Sequence, residues 1–149
     1  MAGGTAKVMQ QRVSLITLGA RDVPRLAAFY AALGWQRVEN PHGVVAFDLI
    51  GQTLGLYEIG DLARDMGVEP EALGHGAMTL AYNVRTSEEV SEIMELARAA
   101  GAKVLREAGE IFWGGVIGYF ADPEGHVWEV AWNSGAPLAE DGAFRWNGY

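Results

Sequence analysis

Hydrophobic and polar residues alternate along several short stretches of the chain, and two stretches have helical spacing instead. The alternation in VSLITLGA, residues 13–20, predicts a strand, because successive strand side chains point to opposite faces. Asp22 then caps a predicted helix that has Pro24 in its first turn and ends at Gly34. Three further strands are predicted at residues 35–38, 44–49 and 53–59, separated by turn residues.

The same order of elements returns after a polar link, residues 61–76, which contains a short predicted helix around residues 62–66. Residues 77–84 predict a strand, and residues 86–101 predict a helix that Thr86 caps, with Glu89 completing a capping box. Strands are predicted again at residues 103–107, 113–120 and 126–132. Two copies of one strand-helix-strand-strand-strand unit, about 65 residues apart, predict an α+β fold in which each helix covers one face of its sheet.

Composition and charge limit the possible functions. A chain of 149 residues, half of them hydrophobic, predicts a single domain over residues 1–149, with modules at about 12–60 and 77–133 and a tail at 134–149. The net charge of −8, without any basic run, argues against nucleic acid and membrane surfaces as partners and favours a cationic ligand. The chain has no cysteine, no apolar run of membrane-spanning length and no apolar signal core in its first twelve residues, so we expect a soluble, cytoplasmic protein.

The last predicted strand, HVWEVAW, carries one carboxylate in an apolar setting. Strand parity sends Trp128, Val130 and Trp132 to the core face and leaves Glu129 on the opposite face. A glutamate there faces either water or a cavity that the sheet helps to enclose. The prediction of function therefore depends on what surrounds Glu129.

Three stretches resemble a known family. ITLGARDVPRLAAFYAALGW near the start, RAAGAKV at the end of the second helix and FADPEGHVWEVAW near the end are similar to the vicinal oxygen chelate superfamily, which includes glyoxalases, bleomycin resistance proteins and extradiol dioxygenases. The resemblance covers about residues 12–133. It implies two βαβββ modules that form a pseudo-symmetric cupped mixed sheet, with helices on the convex side, a binding or active site on the concave face, and often a dimer.

The resemblance also permits a test for metal binding. Metal-using members of the superfamily draw ligands, usually His and Glu, from the first and last strands of each module. The corresponding positions here are Leu15, Gly55, Thr79 and Glu129, of which only Glu129 is a good ligand. Since a catalytic zinc usually has three protein ligands, we expect no metal and no cofactor.

The predicted concave wall is mostly apolar, with a few polar groups, which is typical of a small-molecule pocket. No Lys or Arg falls on the predicted concave positions. Phe112 and Trp113 are predicted either to close over the pocket as an aromatic lid or to pack in the core. Aromatic residues of the tail are predicted to pack on a partner subunit of a homodimer or across the pocket mouth. The predicted ligand-binding residues are Leu15, Tyr57, Thr79, Asn83, Trp113 and Glu129.

Three functions remain open from the sequence. The first is a metal-independent protein that binds a small cationic or aromatic molecule, as the resemblance to bleomycin resistance proteins implies. The second is a lyase, isomerase or dioxygenase-type enzyme in which Glu129 is the general base or the sole remaining metal ligand. The third is a regulatory or scaffold domain whose cup has no ligand.

Overall fold

A computed structural model describes residues 8–74 and 76–149, so the expectations that concern residues 1–7 and His75 lie outside the described residues. The first module consists of β1 (Leu15–Ala20), α1 (Val23–Ala32), β2 (Val45–Asp48) and β3 (Thr53–Glu58). Its three strands have the order β1-β3-β2, with β1 parallel and β2 antiparallel to β3. The link contains α2 (Ile59–Met66) and a 3-10 turn at Pro70–Ala72.

The second module consists of β4 (Leu80–Asn83), α3 (Ser87–Ala100), β5 (Lys103–Glu110), β6 (Val116–Ala121) and β7 (Val127–Trp132). Its four strands have the order β4-β7-β6-β5, with β4 parallel to β7 and the other pairs antiparallel. The mixed α+β class and the open, cupped sheet are therefore confirmed. The described strands form two sheets rather than one continuous sheet.

The helix ends follow the capping residues that the sequence contains. The Asp22 carboxylate accepts a hydrogen bond from the Arg25 backbone N–H at 3.0 Å, and the Thr86 hydroxyl accepts one from the Glu89 N–H at 3.4 Å. The Thr86 hydroxyl also donates to the Glu89 carboxylate at 3.2 Å, a contact between the two side chains in place of the reciprocal backbone bond of the predicted capping box. The α2 helix begins earlier than predicted because the Glu58 side chain, at the end of β3, caps it.

The two modules share one hydrophobic core, to which helices α1 and α3 and the strands of both sheets contribute side chains. Tyr30 of α1 is fully buried and stacks on Trp35, and the Trp35 ring meets Trp128 of β7 at 5.9 Å between centroids. Phe29 of α1 contacts Phe120 of β6 at 6.2 Å between centroids. These aromatic contacts join the core faces of the modules, so the opposite face of each sheet remains open.

Four predicted strands differ from the observed ones: the strand predicted at 77–84 begins at Leu80, the one predicted at 103–107 extends to Glu110, and two others differ more. Residues 35–38 form no strand: the Trp35 ring turns into the core, and only the Val38 N–H reaches β2, donating to Ala46 O at 2.8 Å. The strand predicted at 113–120 begins at Val116 instead, because residues 111–114 form a turn in which the Gly114 N–H donates to Ile111 O and Gly114 has φ +90°. Over residues 8–74 and 76–149, no helix is both long and apolar enough to cross a membrane.

Candidate functional site

Glu129 lies half-buried on the open face of the second sheet, opposite the core face that Trp128 and Val130 occupy. Its carboxylate accepts a hydrogen bond from the Tyr119 hydroxyl at 2.6 Å. Tyr119 and Glu129 are direct partners in the antiparallel ladder of β6 and β7, so their side chains project side by side. The hydrogen bond to Glu129, followed by burial, raises the pKa of Tyr119, because both favour the neutral phenol.

A pocket of about 460 Å³ lies over this pair. Three strands and the loop between β5 and β6 border this open pocket, and its volume is within the range of small-molecule sites. The lining residues are Arg106, Glu110, Ile111, Phe112, Trp113, Ile117, Tyr119 and Glu129. Aliphatic and aromatic side chains thus surround a small number of charged and hydroxyl groups.

The loop at the rim of the pocket is shaped by two glycines. Gly114 has φ +90°, a conformation that L side chains rarely adopt, and this permits the tight turn. The Trp113 ring folds back directly over Gly115, where any Cβ would collide with the ring. Trp113 is 46% exposed and Phe112 is fully exposed, and neither belongs to the core. The prediction that these residues pack in the core is therefore wrong, and both line the pocket.

A larger cleft of about 1860 Å³ adjoins the pocket. Trp113 and Glu129 line both the cleft and the pocket. Asn83, at the end of β4, lies in the cleft rather than in the smaller pocket. The tail reaches the cleft because Arg85 donates to the carbonyls of Ala139 and Glu140, both at 2.9 Å. The tail aromatics Phe144, Trp146 and Tyr149 contribute to its wall and remain 45%, 82% and 61% exposed.

Three of the predicted ligand-binding residues lie elsewhere. Leu15 of β1 covers Gly55 of β3 and is 53% exposed, and the Tyr57 hydroxyl donates to the Asp65 carboxylate of α2 at 2.7 Å. Thr79 is exposed and precedes β4. None of the three lines the pocket or the cleft, so the structure does not bring them to Glu129. The prediction placed all of these residues on one concave face shared by the two modules. In the structure the modules join through their core faces, so each sheet has its own open face.

The positions where relatives carry metal ligands do not fit a metal here. Leu15 and Gly55 offer no donor atom, and Thr79 and Leu15 do not share a cavity with Glu129. Within the described part of the chain, no group of three His, Cys, Asp or Glu residues is arranged to hold a metal ion. The other polar groups that line the pocket are the Tyr119 phenol, the Arg106 guanidinium and the Glu110 carboxylate, so its lining offers two carboxylates and no third ligand suited to a divalent cation.

A buried polar network supports β7 from behind the site. The Tyr30 hydroxyl donates to the Asp122 carboxylate at 2.6 Å and accepts from the Trp128 indole N–H at 3.0 Å. The His126 Nδ1 lies 2.8 Å from the same carboxylate. Burial acts to raise the pKa of Asp122, but the hydrogen bonds from His126 and Tyr30 outweigh it, so this pKa lies below its ordinary value. Burial, with the nearby Asp122 charge, raises the pKa of Tyr30.

Five residues that line the pocket were not predicted from the sequence, namely Arg106, Glu110, Ile111, Ile117 and Tyr119, and two of them, Tyr119 and Arg106, show why. Parity identifies Tyr119, because Gly118 packs on Met94 and Phe120 lies in the core, which sends Tyr119 to the open face beside Glu129. The sequence pattern does not show in the same way which face Arg106 occupies. A register shift between Val104 and Arg106, typical of a β-bulge, places Arg106 opposite Tyr119. The expectation of no cation on the open face is thus wrong.

Comparison with known proteins gives consistent results. The model of the Glyoxalase/Bleomycin resistance protein/Dioxygenase superfamily matches residues 12–130. A glyoxalase-related enzyme from Fulvimarina pelagi is 37% identical, with a TM-score of 0.83 over 93% of this chain and 99% of that chain. Lactoylglutathione lyase from Agrobacterium tumefaciens is 23% identical, with a TM-score of 0.63 over 84% of this chain and 96% of that chain, a likeness of fold. TioX from Micromonospora sp. ML1 is 20% identical, with a TM-score of 0.58 over 79% and 95%, again a likeness of fold. No curated protein matches the chain.

Proposed function

Because the chain belongs to the Glyoxalase/Bleomycin resistance protein/Dioxygenase superfamily, we propose that it binds a small molecule, without a metal, in the pocket over Glu129. The observation that carries the proposal is the half-buried Glu129 carboxylate, held by the Tyr119 hydroxyl at 2.6 Å under an aromatic rim. The carboxylate retains free lone pairs, so a ligand N–H or O–H can donate to it. The aromatic rim suits a planar ligand.

A second function is favoured by the same hydrogen bond. A carboxylate beside a phenol is a possible acid–base pair, with Glu129 as general base and Tyr119 as proton donor. In this proposal the chain is an enzyme of the lyase or isomerase kind, acting on a carbon acid in the pocket. Turnover of a bound molecule, detected as the appearance of product signals in its NMR spectrum on incubation, separates the enzyme from the binding protein.

The proposed assembly is a homodimer. β1 and β4 are the outer strands of their sheets, and apolar side chains near them are solvent-exposed in the single chain: Val13 is 59% exposed, Leu15 53% and Met78 58%. Open strand edges flanked by apolar side chains are normally covered, either by another element or by another copy.

One experiment addresses ligand, metal and assembly together. Native mass spectrometry of the purified chain is expected to show a dimer that retains a small organic molecule and no stoichiometric metal. EDTA is expected to leave the melting temperature unchanged, because no metal stabilises the fold. A stoichiometric metal that EDTA removes, with a fall in melting temperature, would contradict the metal-free site.

Substitution of Glu129 then tests the pocket itself. Glu129→Gln is expected to weaken binding of the retained molecule about 10- to 100-fold, the effect of one hydrogen bond to a charged group, with little change in stability. Glu92→Gln, on the exposed surface of α3, is the matched control and is expected to bind normally. Equal affinity in the two variants would refute a site at Glu129.

A further inference from the structure

Arg106, Tyr119 and Glu129 form one row across three adjacent strands. Arg106 pairs with Tyr119 in the ladder of β5 and β6, and Tyr119 pairs with Glu129 in the ladder of β6 and β7. Antiparallel partners project on the same side of a sheet, and all three residues line the pocket. A positive and a negative group therefore stand in the same pocket, separated by one strand.

The Arg106 guanidinium has no ion pair with any described residue. Arg98, by contrast, is occupied by Glu107, with two contacts of 2.7 Å to its carboxylate oxygens. The hydrogen bond to Glu129 is the main cause of the raised pKa of Tyr119, and the charge of Arg106 opposes it, which is consistent with a guanidinium near the phenol. Arg106 is thus a cation that faces the pocket with its donors available to a ligand.

Arg106 and Glu129 form no ion pair with each other, so both charges remain available to a ligand. Neighbouring strands lie about 4.8 Å apart, so the backbones of β5 and β7 are about 10 Å apart. Glu110 also lines the pocket and adds a second negative charge. A ligand with only a positive charge is therefore repelled by Arg106, and a ligand with only a negative charge is repelled by the two carboxylates. A molecule with both charges can complement both ends.

We propose that the pocket recognises a small zwitterion with an apolar, preferably aromatic, side group. Its anionic group binds Arg106, its cationic group binds Glu129, and its side group packs against Phe112, Trp113 and Ile117. The inference rests on the proposed function and specifies the class of ligand. It also narrows the expectation of a small cationic or aromatic ligand, whose cationic part was based on the net charge of the whole chain.

Three probes that share one phenyl ring test the proposal: L-phenylalanine carries both charges, phenethylamine only the cation and 3-phenylpropionate only the anion. Each is titrated into the full chain, with binding followed by NMR at the backbone amides of Tyr119, Glu129 and Trp113. Phenylalanine is expected to bind at least about tenfold more tightly than either singly charged probe, because it satisfies both charged groups.

Variants that remove one charge identify which residue binds which charged group of the probe. Arg106→Gln is expected to abolish the preference for phenylalanine over phenethylamine and to keep the preference over phenylpropionate. Glu129→Gln is expected to do the reverse. Lys103→Gln, another exposed cation of β5 that lines neither cavity, is the matched control and is expected to keep both preferences. Thermal unfolding of all variants checks that each remains folded.

The possible failures are distinguishable. If phenethylamine binds as tightly as phenylalanine, or if Arg106→Gln leaves the preferences intact, the zwitterion proposal is overturned while binding at Glu129 stands. If no probe shifts the pocket resonances, the proposed ligand class is also overturned. The proposed function itself falls if the retained molecule binds Glu129→Gln and wild type equally, whatever the probes show.

Discussion

Replacing Tyr30 by Phe tests the network that holds the two modules together. The change removes a hydroxyl that donates to the buried Asp122 carboxylate at 2.6 Å and accepts from the Trp128 indole at 3.0 Å. A hydrogen bond to a charged group contributes about 1.5 to 3 kcal/mol, and a buried donor left without an acceptor costs about 1 to 3 kcal/mol. Asp122 keeps its bonds from His126 and from the Glu124 N–H. The two effects add to about 2.5 to 6 kcal/mol, and because Asp122 keeps these other donors we expect a loss in the lower part of that range, about 2.5 to 4 kcal/mol, in the free energy of unfolding.

Urea denaturation followed by circular dichroism measures this loss as a lower midpoint at unchanged slope. Tyr82→Phe is the matched control, because Tyr82 is 44% exposed and has no hydrogen bond from its hydroxyl within the described residues; its effect should stay within about 0.5 kcal/mol. A double-mutant cycle of Tyr30→Phe with Asp122→Asn should give a coupling energy above about 1 kcal/mol. A Tyr30→Phe loss below about 1 kcal/mol would refute the network as a stabilising element.

Two further predictions concern Asp122 of the same network and the loop at the rim of the pocket. Because the pKa of Asp122 lies below its ordinary value of 3.8, its stabilising effect is complete above that value and is lost as the pH falls through the folded-state pKa. The difference in unfolding free energy between wild type and Asp122→Asn should therefore be constant near neutral pH and shrink in strongly acidic solution; a constant difference down to the acid transition would contradict this. Gly115→Ala should force the Trp113 ring off the loop, seen as greater quenching of its fluorescence by acrylamide and weaker ligand binding. Gly109→Ala, where an added Cβ has room, is its control, and equal quenching in both would refute the account.

The elements that the sequence predicted correctly are those whose signals are local. Helical spacing and the capping side chains of Asp22 and Thr86 define α1 and α3, since caps act within one turn of the backbone. Residues 35–38 were mistaken for a strand because the short run WQRV has strand-forming residues at both ends, but its structure depends on a distant partner: Trp35 packs on Trp128, nearly a hundred residues away. Pattern alone does not contain that contact.

The site was predicted less completely, for a related reason. Glu129 could be placed on the open face by parity, which depends only on its own strand. Arg106 could not, because its face is set by a register shift that parity does not anticipate. Leu15, Tyr57 and Thr79 were assigned to the site through the relation between modules, and that relation is determined by the packing of the core faces.

The polar network and the pocket meet at adjacent residues of one strand. Trp128 points into the core, where its indole is fixed by Tyr30, and Glu129 points to the open face, where its carboxylate is fixed by Tyr119. The backbone that carries the ligand-facing group is thus supported from both sides of the sheet, which restricts its movement on binding. A binding group held in place in this way loses little conformational freedom when a ligand arrives, so more of the interaction energy contributes to affinity. Tyr30→Phe should accordingly weaken ligand binding as well as stability, although Tyr30 lines neither the pocket nor the cleft.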